Sequence, residues 1–190
     1  MRISGGTARG IPLKAPKGDD TRPATDQMRE RVFSSLGASI ENAVCLDVFA
    51  GTGAYGIEAL SRGAVHVDFV ENNRTCARIL KDNLNSLNKA MGSLTSSSQT
   101  HILDVRRFTP QARRYYDFIF CDPPYPLIEK FAPELLERFA QWSNSGLLLF
   151  EMPADLSISS DHWTPLKRLG KTRGQAPSVT IFQQIRGLMS

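Results

Sequence analysis

Residues 122–125 read Asp122-Pro123-Pro124-Tyr125 and follow directly on a strand-like run, Tyr116-Asp117-Phe118-Ile119-Phe120-Cys121. A carboxylate oxygen accepts hydrogen bonds from an NH2 group. A proline-fixed backbone holds a carbonyl outward with no competing N–H, and an aromatic ring closes over a flat molecule. Together these groups are suited to gripping a planar exocyclic amine and activating its nitrogen. The plainer alternative is a rigid turn, because paired prolines punctuate loops.

A second motif favours chemistry. Asp47-Val48-Phe49-Ala50-Gly51-Thr52-Gly53-Ala54-Tyr55-Gly56 lies between the apolar Val44-Cys45-Leu46 and a helical run, Ile57 to Arg62. Strand, glycine turn and helix start form a nucleotide-type cradle. Gly51 to Gly56 matches G-x-G-x-x-G, and Glu71 follows Gly51 by 20 residues at the end of the next strand candidate. Both features mark dinucleotide sites, so a nicotinamide-dependent oxidoreductase is one reading. Asp47, four residues ahead of the first glycine, would oppose a pyrophosphate. It suits S-adenosylmethionine, which has no phosphate and is cationic at sulfur. Glu71 serves ribose hydroxyls under either reading. Asp104, after His101-Ile102-Leu103, is placed either at a third strand end, to bind an adenine amine, or as a cap for Val105 to Phe108.

The elements that position these groups alternate. Residues 3–21 read as a small hairpin or extended arm, with glycines and prolines between short apolar residues. Thr25 or Asp26 is placed to cap a helix carrying Met28, Val32, Phe33 and Leu36 and ending near Gly37. Strands are then expected at 44–49, 65–70, 101–103, 117–121 and 146–151, with helices to about Arg62, from Arg74 to Leu87 and from Leu127 to Gln141. Repeated βα units predict an α/β, doubly wound, mostly parallel sheet. Gly92 to Ser98 reads as a polar surface loop. Trp163–Leu169 and Val179–Gln183 predict a closing antiparallel hairpin whose turn, Gly170 to Gln175, reaches toward substrate. Because ligands sit beyond the carboxyl ends of strands, Asp47, Gly51, Glu71, Asp104 and Asp122 are expected to share one crevice.

With 190 residues and 41% hydrophobic content, the chain is long enough for one main domain with a small appendage. No window approaches the roughly 18 apolar residues of a membrane span, and the first 30 residues lack a signal-peptide core, which predicts a cytoplasmic protein. Cys45, Cys76 and Cys121 have no C-x-x-C spacing, and His66, His101 and His162 are scattered, so core thiols and no metal are expected. A monomer is the default. The net charge of +4 raises a polyanionic partner. Basic residues concentrate in the first 31 positions, in Arg106-Arg107 with Arg113-Arg114, and in Lys167-Arg168 with Lys171 and Arg173. On one face these would form a phosphate track.

The glycine-turn residues resemble class I S-adenosylmethionine-dependent methyltransferases. The tetrad resembles the [DN]PP[YFW] motif of their amino-methylating branch, whose targets include adenine N6, guanine N2 and glutamine N5. The narrower resemblance is to the RsmD family, which methylates guanine N2 in bacterial small-subunit (16S) ribosomal RNA. It is carried by Arg2-Ile3-Ser4-Gly5-Gly6 with Arg9-Gly10, by Arg22-Pro23-Ala24-Thr25-Asp26 with Arg29-Glu30, and by Asp47 to Gly56. It spans nearly the whole chain. The resemblance implies a seven-stranded sheet at 41–190 behind an RNA-binding extension at 1–40. It implies catalytic roles for Asp122, Pro123, Pro124 and Tyr125, and cofactor contacts from Asp47, Phe49, Gly51, Gly53, Gly56, Glu71, Asp104 and Asp122. Arg2, Arg9, Arg22, Thr25, Arg29 and Tyr125 are then expected to hold RNA within the assembling or assembled subunit. The turn 171–176 lacks the aromatic often found before its glycine. A DNA adenine or other amino methyltransferase, and a non-catalytic RNA-binding scaffold, remain as alternatives.

Overall fold

The computed structural model describes residues 1–16, 23–92, 97–111, 114–171 and 173–185. The chain divides into two compact units, Met1–Phe108 and Thr109–Ser190. Among the described residues, the first unit holds α1 (Pro23–Leu36), β1 (Val44–Val48), α2 (Ala54–Ser61), β2 (His66–Val70), α3 (Arg74–Met91) and β3 (Ser97–His101). The second holds β4 (Tyr116–Cys121), α4 (Tyr125–Trp142), β5 (Ser143–Pro153), β6 (Trp163–Gly170) and β7 (Pro177–Gln184). The strands form one seven-stranded mixed sheet in the order β3-β2-β1-β4-β5-β7-β6.

In the first unit β1 pairs parallel with β2, and β2 with β3. Near-continuous apolar runs bury both faces, as parallel strands require: Cys45, Leu46, Val48, Val67, Phe69 and Val70 are all buried. On α3 the residues Ala77, Leu80, Leu84 and Leu87 recur at helical spacing and form its buried stripe. Each fully buried leucine contributes about 1.5–3 kcal/mol. Asn73 starts this helix by accepting hydrogen bonds from the N–H groups of Thr75 (2.9 Å) and Cys76 (3.1 Å). The helix runs to Met91, past the expected Leu87, because its last turn is a solvated extension that ends only at Gly92, with φ +67°.

Two sequence expectations are corrected in this unit. The third strand is Ser97–His101, not 101–103. Ser97, Ser98 and Gln99 are exposed and carry no apolar signal, yet the edge strand forms because its backbone pairs with β2 in register His66↔Ser97 to Val70↔His101. Residues 93–96 of the expected loop lie outside the described residues. Also, α1 begins at Pro23, so Asp26 sits in the first turn and does not cap it. Proline suits that position because its missing N–H has no helical partner there.

In the second unit β4 and β5 are parallel, while β5–β7 and β6–β7 are antiparallel, giving the expected terminal hairpin. Ile128, Ala132, Leu135, Leu136 and Phe139 form the buried stripe of α4. This helix begins two residues earlier than the periodicity suggests, since Pro126 at its second position lacks an N–H that would be unpaired anyway. Trp163 is buried and donates its ring N–H to the Leu136 carbonyl at 2.9 Å. No helix among the described residues is long and apolar enough to cross a membrane. Cys45, Cys76 and Cys121 are joined in no disulfide.

Candidate active site

The first unit builds a glycine turn between β1 and α2. Phe49, Gly51 and Gly53 all take positive φ, at 56°, 55° and 84°. For Phe49 that conformation stores on the order of 1–3 kcal/mol of strain, of the kind that clusters at ligand sites. The turn is pinned from two sides. The Gly51 N–H donates to Glu71 Oε2 at 2.7 Å and the Asn73 N–H to Oε1 at 2.6 Å. The Gly56 N–H donates to Asp47 Oδ2 at 2.9 Å. Both carboxylates are buried, Asp47 at 3% and Glu71 at 8% exposure.

The three glycines do different work. A Cβ on Gly53 would lie 2.2 Å from Leu80 Cδ1, and one on Gly56 would lie 2.3 Å from Phe69 Cε1, so these two let α2 close on its neighbours. A Cβ on Gly51 would meet only the Phe49 carbonyl at 4.0 Å, leaving open space above the turn. Asp47, Phe49, Gly51, Gly53, Gly56 and Glu71 thus belong to one assembly. Asp104 differs. It caps the 3-10 turn Val105–Arg107, accepting from the Arg106 backbone N–H at 2.9 Å and from its guanidinium at 3.0 and 2.7 Å. The hydrogen bonds from the Arg106 side chain hold its carboxyl below the usual range. The capping alternative therefore describes its geometry.

In the second unit Asp122 follows the last residue of β4, and Pro124 is the N-cap of α4, so the tetrad spans a strand-to-helix turn. Asp122 is solvent-exposed as a residue. Crowding by protein atoms nevertheless removes enough water from its carboxyl to push it up to about 6. Tyr125 is half-buried, and its phenol is pushed up to about 12 by desolvation, then by the charges of Glu151 and Asp122. Pro123 is buried and Pro124 exposed.

The N-terminal arm is a docked hairpin. Ile3 donates to the Ile11 carbonyl (3.0 Å), Gly10 to Ile3 (2.9 Å) and Leu13 to Met1 (3.0 Å). Thr7 N–H and Ala8 N–H reach the carbonyl and hydroxyl of Ser61. Gly6 is required there, because a Cβ would lie 1.8 Å from the Ser61 carbonyl oxygen. Asn83 exchanges hydrogen bonds with the Lys14 backbone and also donates to the Thr52 carbonyl, joining arm and glycine turn. At the centre is Glu58, fully buried, bonded to Ser4, Arg29 and Arg62.

Arg2 and Arg9 are exposed on this arm. Arg29 is not a surface phosphate ligand as expected: it is 2% exposed, and its guanidinium is taken by Glu58, Asp26 and the Arg2 carbonyl. Arg168 leaves the expected basic track too, since it bonds the Ala154 and Leu156 carbonyls and Thr180. Arg22, Arg113 and the Thr25 side chain lie outside the described residues. Sequence reasoning missed Glu58, Ser61 and Asn83. The signal for Glu58 was its charge inside the apolar run Ile57 to Leu60. Among the described residues no cluster of three or more His, Cys, Asp or Glu side chains is arranged to hold a metal ion.

The sheet order with its terminal antiparallel pair, the flanking helices and the glycine turn define a class I methyltransferase fold. A family described as "Conserved hypothetical protein 95" matches residues 1–179, and the chain belongs to this family, the RsmD family. The chain is 34% identical over 178 residues to Ribosomal RNA small subunit methyltransferase D of Haemophilus influenzae, covering 92% of this chain and 89% of that protein. Its structure is similar to that of yhhF of Escherichia coli, provisionally described as a methyltransferase, with TM-score 0.80, 28% identity and 97% of both chains covered. It also shares the fold of SMU.776, solved in complex with SAH, with TM-score 0.62 and 17% identity over 83% of this chain and 48% of that one.

Proposed function

We propose that the chain methylates the exocyclic N2 of a guanine in bacterial small-subunit ribosomal RNA, using S-adenosylmethionine. The observation that carries this reading is the Asp122-Pro123-Pro124-Tyr125 tetrad at the carboxyl end of β4, in a chain whose relative bears the name of a small-subunit ribosomal RNA methyltransferase.

The residues present fit the cofactor. Two buried carboxylates, Asp47 and Glu71, flank the glycine turn, and no basic side chain occurs from Asp47 to Ser61. A pyrophosphate would find no counter-charge in this stretch, which supports a cationic ligand over a nicotinamide dinucleotide. Gly51 leaves open space, Phe49, Gly53 and Gly56 frame the turn, and Glu71, whose oxygens accept from the Gly51 and Asn73 N–H groups, offers its remaining lone pairs to ribose hydroxyls. Asp104 would meet an adenine amine only with lone pairs left by Arg106. When bound, S-adenosylmethionine supplies a methyl group made electrophilic by its sulfonium.

The chain's own part is orientation. Asp122 and the Pro123 carbonyl accept the two amine hydrogens, which aims the nitrogen lone pair, and Tyr125 stacks on a flipped-out base. Above pH 6 Asp122 is a carboxylate and so an acceptor. Such positioning is worth up to ~7–11 kcal/mol in well-oriented systems. Arg2 and Arg9 on the docked arm, with Arg22 and Thr25, contact phosphates and set register. The protein works as a cytoplasmic monomer on the assembling or assembled subunit.

The test is transfer of labelled methyl to small ribosomal subunits, naked ribosomal RNA and duplex DNA, with digestion to nucleosides. N2-methylguanosine from the ribosomal substrates is the expected product, and N6-methyladenine in DNA would overturn the substrate. Asp122→Ala is expected to abolish turnover while RNA affinity persists. Thermal stabilisation by S-adenosylhomocysteine but not NADH checks the cofactor.

A further inference from the structure

Next to the tetrad, within the second unit, lies a cavity of about 530 Å3. That is inside the ~300–1,000 Å3 range of small-ligand pockets. Tyr125, Pro126, Pro153 and Leu156 give it flat apolar walls, and its polar groups are Glu129, Asp155 and Gln175. With two carboxylates and, among the described residues, no cationic lining residue, it suits a neutral heterocycle bearing N–H groups, not a phosphate. Tyr125 connects it to the catalytic turn, since the charge of Asp122 acts on its phenol.

The polar end is a built pair. Gln175 Nε2 faces both carboxylate oxygens of Asp155, at 3.1 and 3.4 Å. This fixes the amide, because its oxygen would be repelled by the carboxylate if reversed. Asp155 keeps lone pairs for a ligand donor, and Gln175 keeps a second N–H for a ligand acceptor. The backbone beneath is held firmly. Ala154 donates to the Ala176 carbonyl (3.0 Å) and Asp155 to that of Gly174 (3.2 Å), while Arg168 clamps the carbonyls of Ala154 (2.6 Å) and Leu156 (2.7 Å).

We propose that Asp155 and Gln175 read the Watson–Crick edge of the target base, Asp155 accepting from N1–H and Gln175 donating to O6, and so select guanine. This rests on the amino-methylation reading above. Adenine presents the reverse pattern, an acceptor at N1 beside a donor amine, and cytosine does the same at N3 and N4. Uracil matches the pair but has no exocyclic amine to methylate. The pair and the tetrad together admit guanine alone. A good bidentate base contact is worth ~1–3 kcal/mol, about 5- to 140-fold in preference.

The full chain, saturated with S-adenosylhomocysteine, is titrated with GMP and with AMP while the amide chemical shifts of Leu156 and Gln175 are followed. GMP is expected to bind at least five-fold tighter. Asp155→Asn and Gln175→Glu are each expected to bring the two nucleotides within two-fold, with thermal unfolding and S-adenosylhomocysteine affinity unchanged. Equal binding by the unsubstituted chain, no shift at either residue, or unaltered preference in both variants overturns the proposal. Labelled methyl transfer to small ribosomal subunits runs in parallel. N2-methylguanosine without GMP preference leaves the reaction standing and removes the pocket's role. GMP preference without N2-methylguanosine does the opposite.

Discussion

Replacing Glu58 by alanine tests how the arm is held. The side chain is fully buried, and its two oxygens accept four hydrogen bonds: from the Ser4 N–H and hydroxyl, both at 2.8 Å, from Arg29 Nε at 3.3 Å and from Arg62 Nε at 2.8 Å. Arg29 is 2% exposed, so truncation removes one of its carboxylate partners where solvent does not reach, leaving it, among the described residues, Asp26 and the Arg2 carbonyl. Breaking a buried ion pair from one side costs about 3–5 kcal/mol. For a chain of this length each kcal/mol lowers Tm by about 2–4 °C, so Glu58→Ala is expected to lower it by about 6–20 °C. Urea unfolding should give the same ΔΔG. Replacing both partners, Glu58→Met with Arg29→Met, removes both buried charges of the pair and should recover a large part of the loss. A Glu58→Ala cost under 1 kcal/mol, or a double variant as unstable as the sum of the two single ones, would refute the reasoning. Because Ser4 belongs to the arm carrying Arg2 and Arg9, KM for small ribosomal subunits should rise in the same variant.

Gly56→Ala places a methyl 2.3 Å from the Phe69 ring and forces α2 off β2; overpacking of this kind costs about 1–3 kcal/mol, read by urea denaturation. Gly6→Ala cannot keep the approach to the Ser61 carbonyl, so protease cleavage within residues 1–16 should accelerate and RNA affinity fall, while S-adenosylhomocysteine affinity holds. Asp122 carries a folded-state pKa raised from 3.8 to about 6, so the fold favours its neutral form. Its contribution to stability therefore declines as pH rises from about 4 to 6, whereas methyl transfer, which needs the carboxylate as acceptor, should rise through pH 6. The kcat/KM profile of the unsubstituted chain should show that limb, and Asp122→Asn should lack it.

Much of the fold was legible because its signals are local. Runs at 44–48, 67–70 and 118–121 are short and rich in β-branched and aromatic residues, which favours buried strands, and the spacing of Leu80, Leu84 and Leu87 favours one helical stripe. The glycine turn and the tetrad were equally legible, since each depends on consecutive residues whose backbone freedom or rigidity is written in their type. Pairing and burial were not. Ser97 to Gln99 become a strand only because β2 offers a free edge, and the Asp104 carboxylate accepts from the backbone and guanidinium of Arg106. The positive charge of Arg29 and Arg168 suggested phosphate; only folding brought Glu58 to the one and the carbonyls of Ala154 and Leu156 to the other. Sequence by itself determined which groups the chain possesses and which local shapes they favour. Tertiary structure decided which charges face solvent and which are consumed inside, because that depends on partners 12 to 29 residues away along the chain.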